Sequence, residues 1–264
     1  YGVIPLHDWT TDRASTQGKA LAGYQDAATG KHFPDYGAMA LGKRIWEDYY
    51  AKLPIFLPPL LSEVSQVGLY DATLNKRGAL NAYPVPVGTG GTVTAPCTGA
   101  VASGMTLARA SGTVIVGAGA VNDSPDATGG KVVDIALSGT GGGANEQVAL
   151  TLNANVTIPA GIAAGSKVVL EVDVEGINLV NWNGVQVQLF SNAGSKTYTG
   201  LGSSNVTGDR MIANSRRVLR TAPMYVTNPG TESTSLNLIM KADCSGAGPT
   251  GTLRVRSIAM RVVG

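Results

Sequence analysis

Short runs in which apolar and polar residues alternate fill most of the chain after about residue 105. In "KVVLEVDVEGINLV" (167–180) the even-numbered positions 168–174 are all apolar, whereas Glu171, Asp173 and Glu175 occupy odd positions. A period of two places alternate side chains on opposite faces of a β-strand. The run therefore predicts a strand with one buried face and one solvent-exposed face.

Eight further runs of this kind are separated by clusters of Gly, Asn, Pro and Ser, which favour turns. With 167–180, the predicted strands are 105–109, 113–118, 131–137, 147–158, 184–190, 216–226, 234–242 and 251–263. In the last run Arg254 and Arg256 lie on the face opposite Leu253 and Val255. One-sided strands, no helical pattern after residue 57 and no fixed-period repeat predict a mainly β protein with an antiparallel β-sandwich (jelly roll).

The first 57 residues have a different pattern. "GVIPLHDW" predicts a short strand, a polar, glycine-containing loop follows, and apolar residues at helical spacing after the N-cap Asp35 predict a helix to about Lys52. Prolines 54, 58 and 59 end that helix. We therefore predict three parts: a strand–loop–helix over 1–57, a linker over 58–80 and the sandwich over 81–264.

Charge is sparse and balanced, with 20 Lys and Arg against 18 Asp and Glu in 264 residues, a net charge of +2. No block of basic residues exists to attract nucleic acid, and no apolar run is long enough to insert into a membrane. The 35 glycines and many small polar residues are typical of secreted or virion proteins. Because the chain starts without Met, inside a predicted strand, we expect an upstream remainder of the same polypeptide.

Two cysteines and a few acidic clusters are the candidates for cross-links or metals. Cys97 and Cys244 either pair or remain two buried thiols, and the sequence leaves both open. "SPDATGGK" and "DVEGINL" concentrate oxygen ligands but lack EF-hand spacing. We predict no metal and no cofactor.

A histidine with a nearby carboxylate is the usual general-base arrangement, and His32 with Asp26 is the candidate here. The string "GYQDAATGKHFPDYGAMALGKRIWEDY" resembles the C-terminal block of SGNH (GDSL-type) hydrolases, which carries an Asp-x-x-His-Pro element. Here Thr29 stands three residues before His32, and Phe33 separates His32 from Pro34. The family's nucleophilic serine and oxyanion donors have no counterpart in the chain, so we predict that it is inactive alone. Catalytic roles for His32 and Asp26 require residues outside it.

This resemblance leaves three interpretations open: part of an intact esterase, a degenerate hydrolase tail kept as scaffold, or coincidence. A second resemblance covers residues 80–264. "NAYPVPVGTGGTVTAPCTGAVASGMTLARASGT" and the strands from "RRVLRTAPMYVTNPG" onward resemble jelly-roll, carbohydrate-binding-like modules that follow SGNH domains in bacteriophage tail fibres and tailspikes. That resemblance implies a homotrimer in a virion tail or an extracellular location, with cell-surface polysaccharide as the partner.

Sugars bind to aromatic faces flanked by amide and carboxyl groups. "NLVNWNGVQVQ" and the long polar segment after it supply such groups, and the predicted carbohydrate-binding residues are Asn181, Trp182, Asn183, Gln186 and Tyr198. We expect Trp182 at an exposed turn. Two alternatives stay open: the C-terminal part of an SGNH-type carbohydrate esterase (deacetylase) with its serine elsewhere, and a purely structural virion protein.

Overall fold

The computed structural model describes residues 68–125, 130–200 and 213–263. The predicted strand–loop–helix over 1–57, with His32 and Asp26, lies outside these residues. Within the described ranges the chain forms only strands, turns and irregular segments. None of the described residues belongs to a helix that is long and apolar enough to cross a membrane.

The described residues form thirteen strands. They are β1 Thr92–Val93, β2 Thr98–Gly99, β3 Thr106–Ser111, β4 Val116–Asp123, β5 Lys131–Ser138, β6 Glu146–Thr157, β7 Lys167–Val180, β8 Trp182–Ser191, β9 Lys196–Thr199, β10 Ser215–Arg220, β11 Met224–Tyr225, β12 Ser233–Ala242 and β13 Thr250–Val263.

Two sheets contain these strands. The six-stranded sheet has the order β1-β3-β6-β12-β8-β9, and the seven-stranded sheet has the order β10-β7-β13-β5-β4-β2, with β11 also pairing with β7. All long pairings are antiparallel, and the parallel pairs β1–β3 and β2–β4 join two residues each. The predicted antiparallel β-sandwich is confirmed.

One core fills the space between the sheets, and the alternation read from the sequence places its residues. Val168, Leu170, Val172 and Val174 of β7 are fully buried in it. Valine and leucine suit such strands because branched side chains pack well on a pleated surface. Both cysteines join the core as free thiols.

The predicted strand 113–118 is displaced, because β4 spans Val116–Asp123. Two further strand predictions need correction. The run 216–226 is two strands, β10 and β11, because the chain breaks its pairing around Pro223, which has no N–H to donate. Residues 196–199, which lie in the long polar segment and outside the predicted strands, form the edge strand β9. Both errors arise at sheet edges, where partner strands decide the conformation.

The chain crosses between the sheets at both sides of the sandwich. On one side it passes from β1 to β2 through Thr94–Cys97. On the other side, Gly200 and Thr221 form an antiparallel bridge, and Ala222 N donates to Thr199 O at 2.7 Å. These crossings cover edges that would otherwise present unpaired backbone groups.

The segment 68–84 packs against the part of β13 that follows its pairing with β5. β5 pairs only with 252–255, after which Leu80 N donates to Met260 O and Ile258 N donates to Pro84 O. Asn81, fully buried, accepts from Met260 N at 2.9 Å and donates to Ile258 O at 3.0 Å. Its carboxamide thus replaces a neighbouring strand.

The outer face of the seven-stranded sheet is less exposed than its alternation predicts. Asp173, expected to be in solvent, is 6% exposed and pairs with Arg216 at 2.6 Å. The other outward carboxylates also meet arginines: Asp134 with Arg254, Glu175 with Arg254 and Arg256, and Glu171 with Arg220 and Arg261. Arginine stems and ion pairs cover the face that the pattern left open.

Candidate functional site

The residues predicted from "NWN" lie where β7 turns into β8, and their polar groups hold neighbouring loops. Asn181, with φ of 59°, donates from Nδ2 to Gly248 O at 2.7 Å. Trp182 donates its indole N–H to Thr250 O at 2.8 Å. Asn183 Nδ2 lies 2.5 Å from Ala144 O and donates to it. These groups therefore stabilise the loop end of the sandwich.

Trp182 is less exposed than its predicted place at an exposed turn implies. It is the first residue of β8, only partly exposed, and it packs against the core. A ring in this position contributes to packing because its faces are partly covered, and its N–H is already used. The binding role predicted for Asn181, Trp182 and Asn183 stays a prediction.

Tyr198 and Gln186 lie on opposite faces of the six-stranded sheet. Tyr198 pairs directly with the buried Leu189 and packs against the core. Gln186 points outward and is 1% exposed. The five predicted binding residues therefore do not form one surface.

A row of neutral polar side chains crosses the outer face of the six-stranded sheet. Residues directly opposite one another in adjacent strands share a face. The strand registers bring five residues into one such row: Thr106, Thr151, Asn237, Gln188 and Thr199. With strands about 4.8 Å apart, the row is about 19 Å long. All five side chains are partly exposed. We call this set the polar row.

Hydrogen bonding orders the polar row without using all of its groups. Thr151 Oγ1 donates to Asn237 Oδ1 at 2.9 Å, and Gln188 Nε2 donates to Gln186 Oε1 at 3.0 Å. These contacts leave the Asn237 N–H groups and the Gln188 carbonyl on adjacent strands available to a ligand.

An aromatic residue flanks the polar row. Phe190, on β8, points outward and pairs with Ser235 on one side and Thr197 on the other. It is partly exposed, so an apolar surface lies beside the amides. The sequence identified Gln186 on this strand as a candidate, but the row itself depends on register between distant strands.

Charge is absent from the polar row. Further along the same face, Lys241 is 1% exposed, and burial lowers the pKa of its ammonium group. The outer face of the other sheet carries the ion pairs described above. The polar row itself is therefore uncharged, whereas the outer face of the seven-stranded sheet carries several ion pairs.

Two buried carboxylates hold loops. Glu146 accepts hydrogen bonds from the backbone of Val114, Ile115 and Gly143 at 2.7–3.0 Å. Burial raises its pKa, but these N–H donors lower it more, to about 2. Glu232 holds the turn before β12 through Ser191 Oγ and two backbone N–H groups. In the described ranges, no three His, Cys, Asp or Glu side chains gather as metal ligands.

Comparison with known proteins gives remote similarities. No protein-family model and no curated protein sequence matches the chain. Among solved structures, a carbohydrate-binding module of the β-sandwich superfamily has 15% identity and a TM-score of 0.35, covering 60% of this chain and 56% of that one. A mannan-recognising module, TmCBM27, has 11% identity and a TM-score of 0.29, covering 58% and 88%.

The xylan-binding CBM22-1 domain of Paenibacillus barcinonensis Xyn10C has 11% identity and a TM-score of 0.28, covering 60% of this chain and 85% of that domain. The assignment of the β-sandwich here rests on its own strand pairing.

Proposed function

We propose that this protein binds a polysaccharide along the polar row. The observation that carries the proposal is the alignment of amides and hydroxyls across five strands, with no charge in the row and Phe190 beside it. Sugar hydroxyls pair with neutral donors and acceptors, and the apolar face of a sugar ring packs on an aromatic side chain. A row about 19 Å long suits an extended chain of several sugar residues.

Affinity electrophoresis in gels that contain neutral polysaccharides tests this site. We expect Gln188→Ala and Phe190→Ala each to lower the affinity obtained from gel retardation about tenfold. Each substitution removes a contact with the sugar that is worth ~1–2 kcal/mol. Asn122→Ala is the control, because it removes an exposed amide from the outer face of the other sheet.

Loss of retardation in Trp182→Ala, with Gln188→Ala and Phe190→Ala unchanged, would reject this site in favour of the loop end. Unchanged retardation of all three variants would reject both surfaces as the binding site.

We further propose, from the sequence resemblance, that the module is the receptor-binding part of a phage tail fibre or tailspike. Host cell-surface polysaccharide is then the ligand, and the protein is a homotrimer in the virion tail. Sedimentation equilibrium should give three times the chain mass of 27.0 kDa. A monomer would argue against a fibre. A trimer that binds no glycan would favour a purely structural virion protein.

The alternative enzymatic proposal rests on His32 and Asp26. A longer polypeptide that contains a Gly-Asp-Ser motif should release acetate from an acetylated polysaccharide, and His32→Ala should abolish the release. The 264-residue chain serves as its control, because we expect no hydrolysis without the nucleophile.

A further inference from the structure

A pocket of about 250 Å³ lies between the segment 68–84 and the connection from β6 to β7. Tyr70 and Lys76 come from the first wall, Gly161, Ile162 and Ser166 from the second, and Val262 of β13 from the sheet beside them. None of these residues belongs to the polar row. The pocket is therefore a separate feature of the sandwich.

The first wall is fixed by its own hydrogen bonds. Tyr70 N donates to Ala79 O at 2.8 Å, and Asp71 Oδ1 accepts from the backbone of Thr73 and Leu74. Gly78 is required at this turn because a β-carbon there would lie 2.3 Å from Leu69 O. Tyr70 and Lys76 are thus held on a preformed loop.

The second wall is equally ordered. Ile162 N donates to Pro159 O at 3.0 Å, and Ser166 N donates to Ala163 O at 3.1 Å. Gly165 N donates to Val226 O at 2.8 Å, which ties this turn to the chain after β11. A pocket with both walls fixed loses little entropy when a ligand binds.

Three different polar groups meet apolar surface in this pocket. Tyr70, Ser166 and Lys76, which carry a phenol, a hydroxyl and an ammonium group, line it with Ile162 and Val262. Among the described residues, no side-chain hydrogen bond or ion pair engages these three groups. The nearby carboxylate of Asp71 is held by two backbone N–H groups and caps the turn.

We propose that this pocket binds a single sugar ring that carries a carboxylate, of the hexuronic acid class. The volume is below that of pockets for drug-sized ligands, so one ring is the appropriate size. Lys76 pairs with the carboxylate, Tyr70 and Ser166 bond the ring hydroxyls, and Ile162 and Val262 contact its C–H face. This pocket shares no residue with the polar row. The polar row also has no cation with which to bind a carboxylate.

Saturation-transfer NMR with D-glucuronate tests the proposal. D-Glucose, which has the ring but no carboxylate, and acetate, which has the carboxylate but no ring, are the control ligands. We expect glucuronate to bind and to lose about tenfold in affinity in Lys76→Gln, since a charge-assisted bond is lost. Gly161→Leu should abolish binding by filling the pocket. A β-carbon at Gly161 meets only the Ala72 methyl, at 4.0 Å, so the fold should persist.

Two control variants distinguish this site from non-specific attraction of the anionic ligand to exposed lysines and from binding at the polar row. Lys196→Gln removes an exposed lysine on β9, and Gln188→Ala alters the polar row; both should leave glucuronate binding unchanged. Equal binding of glucose, equal binding of acetate, an equal effect of Lys196→Gln, or full binding by correctly folded Gly161→Leu would each overturn the proposal.

Discussion

Single residues with buried polar groups determine how the loops of this sandwich are held. Glu146 is 3% exposed, yet it remains a carboxylate because backbone N–H groups from two loops point at its oxygens. Gly112 and Gly142 leave the room that it needs, since a β-carbon at either would lie within 2.6 Å of its side chain. The loops and the acid therefore depend on one another.

Replacement of Glu146 with Gln should destabilise the fold strongly. The amide has one carbonyl oxygen for several N–H donors, and its own NH₂ group faces the others, so we expect a loss of about 3 kcal/mol. Urea unfolding followed by circular dichroism measures the change. Asp123→Asn, at an exposed ion pair with Lys131, should leave the free energy of unfolding nearly unchanged. A similar small loss for Glu146→Gln would show that the loops hold without the charge.

The same carboxylates predict loss of stability in acid. Glu146 has a pKa near 2 and that of Glu232 is also lowered, against an ordinary value of 4.5. A lowered pKa in the folded state means that the unfolded chain binds protons first as pH falls. The stabilisation is present above about pH 4.5 and disappears towards pH 2. Thermal unfolding from pH 6 to pH 2 should show this fall, with a smaller slope in Glu146→Gln; equal slopes would contradict the assignment.

At the scale of elements, an asparagine side chain continues the sheet where a strand ends. Asn81→Ala would leave Met260 N and Ile258 O without partners in a buried environment, so we expect a loss of about 2–3 kcal/mol. Amide hydrogen exchange at Met260 should also become faster. Asn75→Ala, which removes an exposed bond to Leu69 O, is the control and should cost ~0.5 kcal/mol. Unchanged exchange at Met260 would contradict the role of Asn81.

The charged face of the seven-stranded sheet provides a second, matched test. The Arg254 side chain is 20% exposed and bonds Asp134 through Nε and Nη2, whereas that of Arg220 is 51% exposed and lies 3.4 Å from Glu171. Arg254→Met should cost about 2 kcal/mol because it removes the ion-pair partner of Asp134, whose side chain is only 13% exposed. Arg220→Met should cost less than ~0.5 kcal/mol. Equal losses in chemical denaturation would refute burial as the cause.

For the whole molecule, the core isolates both thiols from solvent. Cys244 is fully buried and Cys97 is 6% exposed. Burial, together with Glu146 and Asp243, raises the pKa of the Cys244 thiol, so the reactive thiolate is scarce. Ellman's reagent should not react with the native protein and should report two thiols per chain in guanidinium chloride. Rapid native reaction, or no thiols after unfolding without reductant, would contradict two buried free cysteines.

Strands that are defined by local alternation can be predicted from the sequence, whereas strands that depend on pairing with distant partners cannot. The predicted strand 167–180 has the same bounds as β7, because its alternation is local and long. β9 and the division of 216–226 were missed because edge strands depend on partners that local pattern does not specify. Likewise, the local sequence suggests that the polar groups of Asn181 and Trp182 are available to a ligand. In the structure they donate hydrogen bonds to Gly248 O and Thr250 O, which are distant in sequence.

The sequence by itself determined the strand periodicity, the inward set of valines and leucines, and the mainly β sandwich, because burial on one face imposes a period of two on each strand. Only the tertiary structure decided which outward residues meet. Register between strands far apart in the chain aligned Thr151, Asn237 and Gln188, paired the outward acids with arginines, and turned Tyr198 inward. Register is a property of strand pairs, so no single run of residues contains it.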